Sequence, residues 1–195
     1  QHLAPGWEEF GTFPATSGKA VGLPRHVTHG MLICPEGGRI DALRKILFAK
    51  PVPTQTLVFA NDAHRVNVIC DQLAEANIIS APLCGNVTKV DRQDIMARIR
   101  DGRISVLVST DLAARGIDLP EVSHVVNYDL PINAESYLHR AGRCGRAGRS
   151  GLMVSLASKD RQFIPVKLAT QLRTPLHLLR HYGGQTWISV PISKR

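Results

Sequence analysis

The chain has 195 residues, a formal net charge of +8 and a hydrophobic content of 44%, which suits one domain with a substantial core. The charge favours a polyanionic partner, and aromatic residues at only 5% favour contact with a nucleic-acid backbone over base stacking. Four cysteines without a Cys-x-x-Cys pair argue against a zinc site or a disulfide framework. We therefore expect an intracellular, reducing compartment, whether cytoplasm, nucleus or organelle, and, without a long apolar run, no membrane partner.

Strands alternate with helices along most of the chain. Residues 1–25 are rich in Gly, Pro, Ser and Thr, and we interpret them as a linker or flexible arm. We predict strands over 27–34, 56–60, 78–83, 105–109, 122–128 and 152–157, and helices over 39–47, 62–76, 90–100, 134–138 and 159–173. This alternation predicts an α/β fold with a mostly parallel sheet flanked by helices on both faces. The domain then covers 26–173, and 174–195 is a C-terminal extension that matches no motif.

The predicted strand ending at residue 109 is followed by polar and small residues. In open α/β sheets, ligands bind at the carboxyl ends of strands, where this segment places Thr110. Gly116 permits a close approach of a ligand to the backbone, and Asp118 can accept hydrogen bonds from sugar hydroxyls. Taken alone, Asp118 is as well explained as a turn residue.

Four arginines recur at every third position between residues 139 and 149, with small residues between them. A guanidinium is charged at any working pH and binds phosphate oxygens two at a time. Glycines stand directly before Arg143 and Arg146, so that little bulk separates these side chains from a phosphate chain. The run therefore predicts a polyphosphate site, although a solvated basic face or a generic nucleic-acid patch remains open.

These segments resemble, in order, the motifs of the second (C-terminal) RecA-like domain of DEAD-box ATP-dependent RNA helicases, over roughly residues 26–173. Residues 57–61 look like motif IV, 109–118 like motif V, 126–131 like the short motif between V and VI, and 139–146 like the His-Arg-x-Gly-Arg-x-Gly-Arg of motif VI. Motif IV is unspecific, whereas motifs V and VI together are specific. His139 resembles the DEAD-box pattern, since related helicase families usually have glutamine at the first position of motif VI.

The resemblance implies a RecA-like, P-loop NTPase-like fold and a set of residue roles. It implies that Arg143 and Arg146 are catalytic arginine fingers, that Gly116 and Asp118 hold the ribose side of ATP, that Thr110, Arg92 and Gly85 contact RNA, and that His139 and Asp129 contact the other RecA-like domain. For Arg115 and Arg140, a structural salt bridge is at least as good an explanation as a ligand contact. Cys84 stands where the family usually has histidine, and Lys89 where it often has glutamine.

Two motifs of the family's first RecA-like domain are absent from the sequence. Residues 17–20 are only a fragment of a phosphate loop, and no Asp-Glu-Ala-Asp stretch exists. The resemblance therefore implies that the chain is half of a motor. Its partners would be RNA, the N-terminal RecA-like domain of the same protein and protein cofactors, with ATP as cofactor and Mg²⁺ held mainly by the first domain.

The resulting expectation is the second motor domain of an RNA helicase, inactive in isolation. In the full-length protein, RNA-stimulated ATP hydrolysis would be coupled to local duplex unwinding or remodelling of RNA–protein complexes. A non-catalytic RNA clamp or protein-docking module in a degenerate helicase remains the alternative, favoured by Cys84 and Lys89. A nucleotide-binding domain unrelated to helicases is a weaker one, since no Gly-x-Gly-x-x-Gly follows a strand.

Overall fold

The computed structural model describes residues 23–24, 26–50, 52–117, 119, 122–145, 149–182 and 186–191. Most of the expected N-terminal arm lies outside these residues, as do Asp118 and Arg146. Leu23, near the end of that arm, is buried and packs into the core.

The described part of the chain alternates between strands and helices, as the sequence predicts. The strands are β1 Val27–Ile33, β2 Gln55–Phe59, β3 Ser80–Leu83, β4 Val106–Ser109, β5 Val122–Asn127, β6 Gly151–Ala157, β7 His177–Tyr182 and β8 Thr186–Pro191. The helices are α1 Arg39–Phe48, α2 Ala63–Glu75, α3 Lys89–Arg100, α4 Ala134–Ala141 and α5 Phe163–Gln171, with a short 3-10 turn at Glu36–Gly38.

The strands form one sheet in the order β3-β4-β2-β5-β6-β1-β7-β8. The pairs from β3 to β7 are parallel, and β8 alone runs antiparallel, against β7. The predicted mostly parallel sheet is therefore confirmed. The sequence leaves 174–195 without a structural assignment beyond an extension, and the structure shows that β7 and β8 continue the sheet beyond β1.

The core lies on both faces of the sheet. In β2, Leu57 and Phe59 pack into one apolar cluster, and Val58 packs into the other. The first cluster includes residues of α3, α4 and α5, and the second includes residues of α1 and α2. Strands with helices on both sides need apolar residues at successive positions, which is why these strands are continuous hydrophobic runs.

Helix α2 illustrates how the local sequence sets a helix in place. The side chain of Asp62 accepts a hydrogen bond from the backbone N–H of Arg65 at 2.8 Å and so caps the first turn. Val66, Ile69 and Leu73 then recur at helical spacing and are the buried residues of this helix. Both the cap and the apolar face agree with the helix predicted from the sequence.

Two buried histidines predict a loss of stability in mild acid. Burial lowers the pKa values of His29 and His124 to about 4, whereas an unfolded histidine titrates near 6.5. The unfolded chain therefore binds the extra protons first, so the stability is complete above pH 6.5 and is lost as the pH falls towards 4. Between these two pKa values the expected slope approaches about 1.4 kcal/mol per pH unit for each histidine, and it should flatten above pH 7, as measured by urea unfolding at several pH values from 7.5 to 4.5.

The variant His124→Gln separates this effect from acid sensitivity of other origin. It removes one titrating group, and we expect the pH slope of the unfolding free energy to fall by about 1.4 kcal/mol per unit. Identical slopes in wild type and His124→Gln would contradict the assignment.

Candidate functional site

The segments that resemble motifs V and VI meet at one edge of the sheet. A shallow depression of about 30 Å³ lies there. It is lined by Phe59, Asp111, Ala114, Arg115, Ser136, His139, Arg140 and Arg143. The structure therefore brings together the loop after β4 and the charged residues at the end of α4, which lie about 30 residues apart in the sequence.

Arg140 holds this edge together from the inside. It is 1% exposed and donates to both carboxylate oxygens of Asp111, at 2.8 and 2.7 Å. It also donates to Asn127 Oδ1 at 3.0 Å and to the carbonyl oxygen of Asp129 at 2.7 Å. Its guanidinium carbon lies 4.8 Å from the centre of the Phe59 ring. The sequence left a structural salt bridge and a ligand contact as possible roles for Arg140, and the structure shows the salt bridge, with Asp111. Together with its other contacts, Arg140 joins the ends of β2, β4 and β5.

Asp129 is engaged inside the domain. Its Oδ1 atom lies 3.1 Å from Arg39 Nη1 and 3.4 Å from Arg65 Nη2, and its Oδ2 atom accepts the Asn61 N–H at 3.0 Å. Glu36 adds an ion pair to Arg39 at 3.2 Å. The carboxylate of Asp129 is 7% exposed and holds the strand ends together within the domain, and its contact with the other RecA-like domain stays a prediction.

Arg39 is a buried residue at this edge of the sheet that was not predicted from the sequence. It is 2% exposed although it carries a charge, because its guanidinium reaches Asp129. A signal for it existed: Ala42, Leu43 and Ile46 are the other buried residues of α1, and Arg39 precedes them by three, four and seven positions. A charged residue on the apolar stripe of a helix predicts a buried ion pair.

Arg143 is placed beside the loop that follows β4. It lies just past α4, and its Nη1 atom donates to the carbonyl oxygen of Ile117 at 3.1 Å. Gly116, one residue before, has a φ of +73°, a conformation that side chains disfavour. His139 is exposed on α4 and lines the same depression. Arg146 and Asp118 lie outside the described residues, so their roles stay predictions.

The residues expected to contact RNA lie along the same edge. Arg92 donates from Nη2 to the carbonyl oxygen of Ala113 at 2.9 Å, so that its guanidinium supports the loop after β4. Thr110 accepts the Ala113 N–H at 3.3 Å and stabilises the turn in that loop. Gly85 is exposed just past β3. Arg92 therefore has a structural contact within the domain in addition to its expected role.

Cys84 does not reproduce the chemistry of the histidine that the family usually has there. It is 3% exposed, and its thiol donates to Asn86 Oδ1 at 2.9 Å. Burial raises the pKa of this thiol, so it stays neutral. At this position the chain therefore offers neither a charge nor an exposed hydrogen-bonding side chain.

The described residues do not form a metal site of their own. Among them, no group of three or more His, Cys, Asp or Glu side chains is arranged to hold an ion. The acidic residues at the site edge are instead bonded to arginines, as with Asp111 and Asp129. None of the helices in this part of the chain is long and apolar enough to cross a bilayer.

This fold and edge define a RecA-like α/β domain with an arginine-rich helix end beside a polar loop. Residues 38–148 match the family model described as the helicase conserved C-terminal domain. In solved structures, the fold is similar to Escherichia coli DEAD-box protein SrmB bound to RraA, with a TM-score of 0.71, 35% identity and coverage of 80% of this chain and 91% of that one. The chain belongs to the helicase C-terminal domain family, as the second RecA-like domain of a DEAD-box protein.

Curated relatives carry the same family name. ATP-dependent RNA helicase SrmB of Escherichia coli is 39% identical over 135 residues, 69% of this chain and 30% of SrmB. ATP-dependent RNA helicase FAL1 of Meyerozyma guilliermondii is 40% identical over 138 residues, 71% of this chain and 32% of FAL1. The chain thus spans about a third of the length of these relatives, and it lacks the motifs of a first RecA-like domain.

Proposed function

We propose that this chain is the second motor domain of an ATP-dependent RNA helicase and that it acts only together with the first RecA-like domain. The observation that carries the proposal is the depression shared by His139, Arg143 and the loop after β4. Its volume of about 30 Å³ is roughly a tenth of the smallest usual ligand pocket, which starts near 300 Å³. A nucleotide bound here needs a second protein surface to enclose it.

The chemistry follows from where the positive charges lie. Arg143 and Arg146 act as arginine fingers, whose fixed charges stabilise the negative charge that spreads over the γ-phosphate oxygens in the transition state. Gly116 leaves the backbone accessible, and Asp118 accepts hydrogen bonds from the ribose. Support for the finger role of Arg143 is its place in the depression, where the Ile117 carbonyl oxygen orients its guanidinium.

Closure of the two domains couples RNA to hydrolysis. With the domains apart, the fingers are far from the phosphate and hydrolysis is slow. ATP and RNA each contact both domains, so together they favour the closed state and deliver Arg143 to the nucleotide. Closure bends the bound strand and so separates short duplexes or remodels RNA–protein complexes, and phosphate release reopens the cleft. His139 makes the contact between domains that the resemblance implies.

RNA binds through its backbone along the edge formed by Gly85, Arg92 and Thr110. The net charge of +8 and the low aromatic content support a phosphate-centred contact, which carries no direct sequence information. A similar solved structure, the L327V variant of Saccharomyces cerevisiae Dbp5 bound to RNA and ADP BeF3, has a TM-score of 0.70 and 29% identity over 75% of this chain and 39% of that one. In this proposal, Mg²⁺ is held mainly by the first RecA-like domain.

The protein works in a reducing intracellular compartment, which the four free thiols of the chain support.

A second function is favoured by one specific observation. Cys84 is neutral and engaged with Asn86, where the family usually has histidine. In a degenerate helicase, the domain would serve as a non-catalytic RNA clamp or a protein-docking module, with partners bound through residues 1–25 and the C-terminal extension 174–195. The arrangement of His139 and Arg143 around one depression favours the motor instead, since a binding module has no use for a finger beside a polar loop.

The test is ATP hydrolysis by the full-length protein and by this chain alone, each with and without single-stranded RNA. We expect RNA-stimulated hydrolysis by the full-length protein and a rate at least about 100-fold lower for the isolated chain, because the phosphate-binding loop is elsewhere. Strong hydrolysis by the isolated chain would overturn the two-domain proposal. RNA binding without hydrolysis by the full-length protein would favour the clamp.

A further inference from the structure

The side chain of Cys144 links the end of α4 to the sheet. It is 0% exposed, and its backbone N–H donates to the Ala141 carbonyl oxygen at 3.1 Å, which continues the last turn of the helix. Its thiol donates to the Ser123 carbonyl oxygen in β5 at 3.1 Å and lies 3.8 Å from the Leu152 carbonyl oxygen in β6. The sulfur therefore fills the space between the helix end and two neighbouring strands.

Two glycines have no spare room around this sulfur. A Cβ atom on Gly151 would overlap Cys144 Sγ and lie 3.0 Å from the backbone nitrogen of Gly145. Gly145 has a φ of +66°, and a Cβ atom there would lie 2.7 Å from Val27 Cγ2. The segment after α4 therefore packs tightly against the first residues of β1 and β6. The Cys144 sulfur fills the space that a side chain on Gly151 would need.

The thiol itself is chemically inert. Burial raises the pKa of Cys144 to about 12, even though arginines flank it in the sequence. The group is therefore a protonated thiol that neither attacks an electrophile nor binds a metal. Its contribution is its volume and its weak hydrogen bond to Ser123.

We propose that Cys144 is a positioning residue whose sulfur sets the distance of Arg143 from the sheet. This inference rests on the proposed finger role of Arg143. The backbone of Arg143 is fixed between its hydrogen bond to the Arg140 carbonyl oxygen, at 3.0 Å, and the buried side chain that follows it. We call the Cys144 sulfur the spacer between the helix end and the sheet. A smaller or larger group at this place moves the Arg143 guanidinium away from Ile117, and a misplacement of about 1 Å lowers the rate of hydrolysis by about 100-fold.

A direct test is to remove the Cys144 side chain and to supply the missing volume from the opposite residue, Gly151. Gly151→Ala adds a methyl group where the sulfur already lies, and Cys144→Ala removes the sulfur and leaves the gap empty. In the full-length protein, we expect each single variant to lower kcat by about 10- to 100-fold with RNA affinity and KM for ATP within about 3-fold of wild type. In Gly151→Ala/Cys144→Ala, the added methyl group fills part of the space left by the sulfur and still lies 3.0 Å from the Gly145 backbone nitrogen, and kcat should return to within about 5-fold of wild type.

Controls separate positioning from simple stability. Gly37→Ala adds a methyl group into open space, at a glycine without a left-handed φ, and should leave kcat unchanged. Cys144→Ser keeps a donor of similar size and should retain kcat within about 5-fold, which provides a readout if Gly151→Ala does not fold. If Cys144 only stabilises the fold, kcat and the thermal unfolding midpoint should fall and recover together across the variants. If Cys144 positions Arg143, the double variant should regain kcat although its thermal unfolding midpoint stays below that of the wild type.

The outcomes also separate this inference from the proposed function. Loss of hydrolysis in Arg143→Ala together with wild-type kcat in Gly151→Ala and Cys144→Ala would overturn the spacer role alone. Wild-type kcat in all three variants would overturn the finger role and the spacer role with it. A double variant that is slower than both singles would contradict exchange of the spacer across the gap.

Discussion

Arg143→Ala in the full-length protein is expected to lower kcat for RNA-stimulated ATP hydrolysis by about 10³- to 10⁵-fold, the range found for arginine fingers. The side chain lines the depression and is oriented by the Ile117 carbonyl oxygen, so its loss removes a charge already aimed at the site. RNA affinity should stay within about 3-fold, because other residues contact the strand. Single-turnover hydrolysis at saturating RNA measures the effect.

Arg149 offers a matched control within the same arginine run. It is exposed and lies past the segment that borders the depression, so Arg149→Ala removes an equal charge from outside the site. We expect kcat within about 3-fold of wild type for this variant. Equal losses for Arg143→Ala and Arg149→Ala would show that general positive charge, rather than a placed guanidinium, supports hydrolysis.

Arg140→Met is expected to destabilise the domain by about 3 kcal/mol or more. The substitution keeps much of the side-chain volume but leaves Asp111, Asn127 and the Asp129 carbonyl oxygen without their donor. Asp111 is 38% exposed and regains some hydration, which keeps the loss near the lower end of the 3–5 kcal/mol typical of broken buried pairs. For a domain of this size, the thermal midpoint should fall by about 6–12 °C.

Two further variants test whether this loss comes from the buried network. Arg140→Lys keeps the charge but supplies one ammonium in place of a planar fork, and we expect it to recover less than half of the lost stability. Arg98→Met removes a partly exposed arginine that pairs with Asp94 at 3.8 Å, and it should cost less than about 0.5 kcal/mol. Similar midpoints for Arg140→Met and Arg98→Met would contradict the role of Arg140 as the link between strand ends.

The strands and helices up to residue 173 were predictable because their signals are local. β2 has three successive apolar residues, Leu57 to Phe59, and α2 combines an Asp62 cap with an apolar stripe, so each element can be predicted from a short stretch of sequence. β7 was not predicted because the segment His177–Tyr182 mixes histidine and arginine with leucine, without the period of a strand or a helix. Its place is decided by pairing with β1, about 147 residues earlier in the chain.

The site was predictable in its parts but not in its internal pairing. The segments that resemble motifs V and VI located the loop after β4 and the end of α4, and the structure joins them at one depression. Which arginines face that depression and which are locked inside depends on partners far away in the sequence. Asp129 lies 90 residues from Arg39, and Asp111 lies 29 residues from Arg140, separations at which spacing in one sequence carries no information on contact.

The position of β1 constrains the order in which the chain folds during its synthesis. β1 precedes the other strands of this sheet in the chain but lies between β6 and β7, to which it pairs at separations of more than 120 residues. The strands β3, β4, β2 and β5 form a contiguous half of the sheet from residues 55 to 127, and they can pair while the rest is still being translated. β1 has no strand to pair with until β6 and β7 have been made, so it is the strand of this sheet that stays unpaired longest.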